Sequence, residues 1–370
     1  MSDTSAAGAD HGRRPHGFGI VGAGVIAPTH ARAIATLPAA RLVAVTDVVP
    51  ERAKAFAESY PCHVEPDLDA LLARPDVDVV SVCVPSGLHA EVGVQAAAAG
   101  KHLVVEKPLD VTLAAADRLI DAVRAAGVMM TVISQHRFDA GLVELRGLLD
   151  SGALGRLVVG EASTKWYRTQ GYYDSAEWRG TRALDGGALM NQGIHYVDLL
   201  RWSMGPVAEV TAVCSTQSHQ MEAEDVALAV LRFSSGAVGT IVASTAIFPG
   251  FAQRLEISGT DGTVVIEDGE IVHRAFSAEL PEPSDRGSKV GTGAVVPGVA
   301  ANASALGVAS HAAQIADLLA AIDEGRQPLV TADSGREALE VVCAVYESAR
   351  EGRAVVLPGA RGEAQDAALR

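Results

Sequence analysis

Three groups of residues in this 370-residue sequence have types and spacings that could do chemistry. In "VVEKPLDVTLAAA" the charged Glu106 and Lys107 follow an apolar run and precede Pro108. Charge at the end of a buried strand is costly unless it is paired or used. A partly desolvated lysine can be tuned to exchange a proton near neutral pH. Taken alone, though, the two residues read more simply as a solvated pair. In "DGGALMNQGIHYVDLLRW", Asn191 and His195 stand four apart with Asp198 one turn on, a spacing that stacks them on one face of a helix. Histidine, with an unperturbed pKa of about 6.5, suits proton exchange. Asn191 can orient a neighbour by hydrogen bonding but brings no charge to stabilise an imidazolium. A packed helix histidine is the competing reading. One histidine and one carboxylate fall short of a zinc ligand set, so no metal is expected.

The third group is "GIVGAGVIAPTH", with Gly22, Gly24 and Ala27 in GxGxxA spacing between an apolar strand and a helix. There Gly22 allows the tight turn, Gly24 lets backbone approach a pyrophosphate, and Ala27 permits close helix packing. Asp47 ends the next strand, where an acid takes the ribose hydroxyls of a dinucleotide. Its carboxylate repels a 2'-phosphate and "VVP" after it offers no cation, so NAD is the expected cofactor; Arg52 keeps NADP within reach.

These residues need elements to position them. "FGIVGAG", "RLVAVTD", "VDVVSVCVP", "KHLVVEKP" and "VMMTVISQ" read as strands alternating with helices, and their lack of polar alternation indicates strands covered on both faces. After Gln135 the pattern changes to "AEVTAVCST", "DVALAVLRFSSGAVGTIVAST" and "RLEISGTDGTVVIEDGEIVHR", strands joined by hairpin turns. The expected fold is therefore α/β: an N-terminal doubly wound parallel sheet, then an α/β domain with an open, mostly antiparallel sheet. The division expected is a disordered tail at 1–16, a dinucleotide-binding domain at 17–136, a substrate-binding and oligomerisation domain at 137–358 and a flexible tail at 359–370. Leu280 to Ser304, rich in Pro, Gly, Ser and Ala, reads as a loop excursion.

Composition excludes other classes. A net charge of -15 without a basic stripe argues against nucleic acid. No apolar run is long enough for a bilayer and the N-terminus has no signal-like core, so a cytoplasmic protein is expected, with Cys62, Cys83, Cys214 and Cys343 reduced. Aromatic residues are only 4%, yet Trp166, Trp178 and Trp202 fall close together with Tyr167, Tyr172, Tyr173 and Tyr196. Aromatic faces pack on the CH face of a sugar ring.

With these pieces in place the chain resembles the Gfo/Idh/MocA oxidoreductases, the group of glucose-fructose oxidoreductase and inositol dehydrogenase. "GIVGAGVIAPTHARAI", "VCVPSGLHAEVGVQAAAAGKHLVVEKPL", "GGALMNQGIHYVDLLRW" and the C-terminal helices carry the likeness, spanning Gly19 to Leu357. The resemblance implies a Rossmann domain, a nicotinamide cofactor and redox chemistry at a carbinol carbon of a sugar, amino sugar or cyclitol, free or linked to a glycoside or nucleotide. It makes Lys107 the catalytic lysine, His195 its partner in proton transfer, and Asn191 a positioning residue where inositol-dehydrogenase-like members carry Asp. It allows a cis bond before Pro108. It assigns cofactor contact to Gly22, Gly24, Val25, Ile26 and Asp47, to Pro85 and His89 of a Pro-x-x-x-His segment, to Glu106 and Lys107, and to Gln135. Trp178 and Arg179 of "EWRG" resemble a Trp-Arg pair near both nicotinamide and substrate, and Tyr172 joins Lys107, Trp178, Arg179, Asn191 and His195 on the substrate side. His30 and His136 sit at the junctions beside the cofactor cleft or serve as polar loop ends. A homodimer or homotetramer is expected. The competing readings are a cofactor-binding sensor without turnover and an NAD-dependent glycosidase.

Overall fold

The computed structural model describes residues 14–277 and 307–358. The tail expected from residue 359, the loop expected at Leu280 to Ser304 and most of the N-terminal tail lie outside these. Residues 14–16, expected to belong to that tail, are described: Arg14 pairs with Asp78 at 2.7 Å and His16 opens the first strand.

The first unit runs β1 (His16–Val21), α1 (Ala27–Ala35), β2 (Ala40–Thr46), α2 (Pro50–Ser59), β3 (His63–Val64), α3 (Leu68–Leu72), β4 (Val79–Val82), α4 (His89–Ala98), β5 (His102–Val105), α5 (Leu113–Ala126) and β6 (Met130–Val132). Its strands are all parallel in the order β3-β2-β1-β4-β5-β6. Phe18, Ile20, Val79, Val80, Leu103 and Val104 are fully buried, as expected of strands with helices on both faces. The order reverses between β1 and β4, so the carboxyl ends of β1, β4, β5 and β6 open onto one crevice, the place where ligands bind in such sheets.

The second unit runs α6 (Ala140–Asp150), β7 (Leu157–Lys165), α7 (Gln170–Asp174), α8 (Ile194–Met204), β8 (Val207–Ser215), β9 (Val226–Phe233), β10 (Val238–Ser244), β11 (Arg254–Gly259), β12 (Gly262–Glu267), β13 (Glu270–Phe276), α9 (Val308–Glu324), α10 (Ala332–Glu351) and β14 (Val355–Val356). Its sheet has the order β13-β12-β11-β7-β10-β9-β8-β14 and is antiparallel except where β10 runs parallel to β7. Along β9 buried and exposed residues alternate, one face packing inward and the other facing out.

Division at 136/137 does not hold for α9. Its Ile315, Leu318 and Leu319 pack with Phe18, Ile20 and Ile34 in the core of the first unit. Gln314 donates to the Val132 carbonyl at 2.8 Å and accepts from the Ser134 amide at 3.0 Å, which satisfies the open edge beside β6. The helical pattern announces α9 but not the sheet it returns to. Among the described residues no helix is long and apolar enough to cross a membrane.

Candidate active site

The turn after β1 is built as its glycines require. Gly22 has φ +93°, and a Cβ there would lie 2.6 Å from the Cys83 carbonyl oxygen at the end of β4. Gly24 is exposed and a Cβ on it would meet nothing, so its backbone faces open space. No side chain caps α1, Pro28 brings no N–H and the Thr29 amide donates to the Ile26 carbonyl at 2.9 Å, so an anion there would meet the amides of the turn itself, before Pro28. Asp47 braces this turn: its carboxylate accepts from the Ala23 amide at 2.7 Å and the Val49 amide at 2.8 Å. At the end of β6 the buried Gln135 has an Oε1 with no hydrogen-bond partner among the described residues, an unmet acceptor at the crevice. An open turn, an uncapped helix and an orphaned amide oxygen together fit a dinucleotide.

Two residues expected at the cofactor are tied into the scaffold. His89 is buried with Nδ1 2.7 Å from the Pro108 carbonyl and Nε2 3.0 Å from that of Val84, so it ties two crevice loops together with both ring nitrogens engaged. Pro85 opens the short turn that leads into it. Glu106 is 5% exposed; one oxygen lies 2.9 Å from His30 Nε2 and 4.0 Å from His311 Nε2, while the other accepts from the Lys107 amide at 3.1 Å. Burial would push its carboxyl up, but the His30 hydrogen bond and charge bring it down to about 2. His30 is lowered by burial, yet Cys83 and Glu106 outweigh that and hold it up at about 10. Burial pulls His311 down to about 4. His30, Glu106 and His311 offer ligating atoms within 4.8 Å of one another. The direct 2.9 Å His30–Glu106 contact is nonetheless shorter than the spacing of about 3.3 Å that two ligands of one tetrahedral ion keep.

Lys107 projects from this base, joined to Pro108 by a cis bond, and is partly exposed. Its ammonium donates to the main-chain carbonyl of Asn191 at 2.8 Å. Burial lowers its pKa, the carboxylates of Glu106 and Asp185 oppose this, and Arg179 adds to it. His195 lines the same cavity as Lys107 and stands edge-on to His136 with ring centroids 5.1 Å apart. Burial, then the charge on Lys107, hold its pKa well below the usual value, so the ring is neutral.

The stacked helical face expected for Asn191, His195 and Asp198 is not what forms. Leu189–Gly193 is a π-helical turn leading into α8, and its wider spacing changes the phase of residue 191 against the helix after it. The Asn191 amide turns to Asp185 and its carbonyl to Lys107. Asp198 is buried and holds Arg137 at 2.8 and 2.5 Å, fixing α8 to the segment after β6. The turn itself sits on Glu224, whose carboxylate occupies the place a Gly187 Cβ would take and accepts from the Leu189 amide at 2.9 Å and the Tyr346 hydroxyl at 3.1 Å.

The aromatic interval divides. Arg179 lies over the Tyr172 ring at 4.2 Å and the Trp178 ring at 4.7 Å, and Arg168 lies between Trp166 and Tyr172 at 4.9 and 5.3 Å, so cations and rings alternate along one wall. Among the described residues Arg179 makes no ion pair, and its Nε is buried without a hydrogen-bond partner. Tyr173 turns inward, its hydroxyl 2.6 Å from Thr245 Oγ1. Trp202 packs under Arg137 and Arg146. Sequence reasoning missed three members of this site. Asp185 opens the very stretch that carries Asn191 but reads as a loop residue; Gln192, 3.4 Å from the Tyr172 hydroxyl, lies between Asn191 and His195 with no spacing signal of its own. His311 arrives from α9, far along the chain, with no spacing signal.

Comparison with known proteins agrees with this geometry. Residues 16–134 match the oxidoreductase family with an NAD-binding Rossmann fold, GFO/IDH/MocA, and residues 142–265 match the GFO/IDH/MocA C-terminal domain. An uncharacterised oxidoreductase of Bacillus subtilis is 30% identical over 68% of this chain and 73% of its own. The inositol 2-dehydrogenase of Rhizobium meliloti is 28% identical over 91% of this chain and 98% of its own. The WlbA dehydrogenase of Bordetella pertussis, solved in complex with NADH and UDP-GlcNAcA, superposes with a TM-score of 0.82 at 32% identity, covering 93% of this chain and 99% of that one.

Proposed function

The chain belongs to the GFO/IDH/MocA oxidoreductase family, and from that premise we propose that it is an NAD-dependent dehydrogenase moving hydride between nicotinamide and a secondary ring hydroxyl of a sugar, amino sugar or cyclitol. The observation that carries the reading is Lys107: a side chain with a burial-lowered pKa, lining one cavity with a neutral histidine, just past the carboxyl end of β5 where the crevice opens.

Bound nicotinamide supplies the hydride acceptor or donor. Gly22, Gly24 and the start of α1 hold the pyrophosphate, Asp47 the ribose hydroxyls, and Gln135 the unmet amide contact. In oxidation, Lys107 takes the hydroxyl proton. Its hydrogen bond to Asn191 fixes the nitrogen, and when the amine is neutral its lone pair is left for the substrate. His195, held neutral, orients the same hydroxyl. A neutral ring needs no carboxylate to stabilise an imidazolium, so asparagine at 191 costs the mechanism nothing there. Tyr172, Trp178 and Arg179 form the sugar-facing wall, and the unpaired Arg179 favours a substrate with an acidic group, such as a nucleotide-linked sugar.

The exposed face of the second sheet supports a homodimer or homotetramer. Val213 pairs with Leu228 and Leu228 with Val242, with Val230 two residues along, and Val213, Leu228 and Val230 are 66%, 47% and 60% exposed. Sedimentation of the wild type against Leu228→Glu checks this; a monomeric wild type contradicts it.

Incubating the protein with NAD and a panel of free, aminated, acidic and nucleotide-linked sugars, while following NADH absorbance, tests the activity. The dehydrogenase reading expects reduction with at least one sugar. Tight NAD binding with no reduction would favour the sensor.

A further inference from the structure

Asp185 is a carboxylate 1% exposed, and among the described residues no cation lies within ion-pairing distance of it. One oxygen accepts from the Gly180 amide at 2.7 Å and the other from the Asn191 side-chain amide. The same Asn191 presents its carbonyl to Lys107 at 2.8 Å. Residue 191 therefore bridges a buried negative charge and the ammonium: its side chain is held by the first, its main chain holds the second. Burial raises the Asp185 carboxyl, and its hydrogen bonds from Gly180 and Asn191, with the charges of Lys107 and Arg179, work against that rise and favour the ionised form.

We propose that Asp185 is a positioning residue for the proton transfer: acting through Asn191, it supplies the negative charge that residue 191 lacks and fixes the carbonyl on which Lys107 rests. This inference rests on the reading of Lys107 as the proton-transferring group. The groups that face Lys107 are Glu106 on its own strand end, Asp185 and Arg179 from the loop before α8, and His195 on α8. Those that face Asp185 are Lys107, Arg179, Tyr172 and Tyr173. Arg179 opposes Asp185 at the lysine, so removing the acid leaves Glu106 alone to offset the cation and burial.

The test reads Lys107 directly. The rate of acetylation of Lys107 by acetic anhydride, measured by peptide mass spectrometry from pH 6 to 11, gives its titration without substrate or cofactor. Asp185→Asn, which still accepts from Gly180, is expected to move that titration down by about one unit. It should likewise move the acid limb of kcat/KM down with whichever sugar of the panel reacts. The exchange variant Asp185→Asn with Asn191→Asp keeps one carboxylate and one amide in contact and should return Lys107 to within a few tenths of a unit of wild type. Should Asp185→Asn fail to fold, Asp185→Ser takes its place. An unchanged Lys107 titration in the single variant, or an exchange variant that behaves like it, overturns the inference. An enzyme inert to every sugar but with a Lys107 that responds to Asp185 sinks the functional reading alone. An active enzyme whose Lys107 ignores Asp185 sinks this inference alone.

Discussion

The Lys107 ammonium reaches the main chain of Asn191, at 2.8 Å, and not its side chain. What residue 191 offers the lysine is therefore set by the π-helical turn that aims its carbonyl, and the side chain is free to engage Asp185. The same turn rests on Glu224, so the stability of a buried acid and the geometry of the site are linked.

That link has a pH signature. Burial raises the Glu224 carboxyl to about 7, against the pull of its hydrogen bonds from Leu189 and Tyr346. The unfolded value is about 4.3, so the folded state retains a proton the unfolded chain has lost, and this group takes away stability as pH rises from about 4 to about 7. Glu224→Gln is expected to match wild type in urea denaturation at pH 4 and to exceed it by about 3 kcal/mol at pH 8. A variant less stable at pH 8 would show that the acid is ionised and paired in the fold.

Asp198 makes a different prediction. Its bidentate pair with Arg137 is buried on both sides, and removal of one partner leaves the other charge stranded. Asp198→Ala should lower unfolding free energy by about 3 to 5 kcal/mol. Asp198→Leu combined with Arg137→Met should recover most of this loss. An equal loss in the double variant would assign the effect to packing alone.

Asp47 has two duties, bracing the glycine turn through Ala23 and, in the proposed complex, receiving the ribose hydroxyls. Asp47→Ala should weaken NAD by about tenfold to a hundredfold, since hydrogen bonds to a charged acceptor are lost. NADP should lose less, because repulsion of its 2'-phosphate is relieved. Isothermal titration with both cofactors checks it; equal losses would leave Asp47 as a brace only.

Much of this was legible in the chain. Unbroken apolar strands separated by helices specify the parallel sheet, and the alternation in β9 and β10 specifies the open one. The glycine turn and Asp47 sit where their spacing puts them. What local pattern could not reveal depends on long-range packing. α9 returns to the first sheet because Gln314 and its apolar stripe fit the edge of β6, and His311 reaches Glu106 only because of that return. A four-residue spacing reads as an α-helical face, yet Gly186 at φ +76° and Glu224 beneath Gly187 accompany a π turn that redirects Asn191. His89 and Glu106 have types suited to a ligand, and their engagement with carbonyls and a histidine of the scaffold comes from segments that no local spacing links to them.

The central claim is that Lys107 moves the proton. With the most reactive sugar of the panel, Lys107→Met should reduce turnover by about a hundredfold to ten-thousandfold, while NADH binding, read by its fluorescence, stays within about twofold of wild type. A Lys107→Met enzyme that reduces NAD at the wild-type rate would contradict the account.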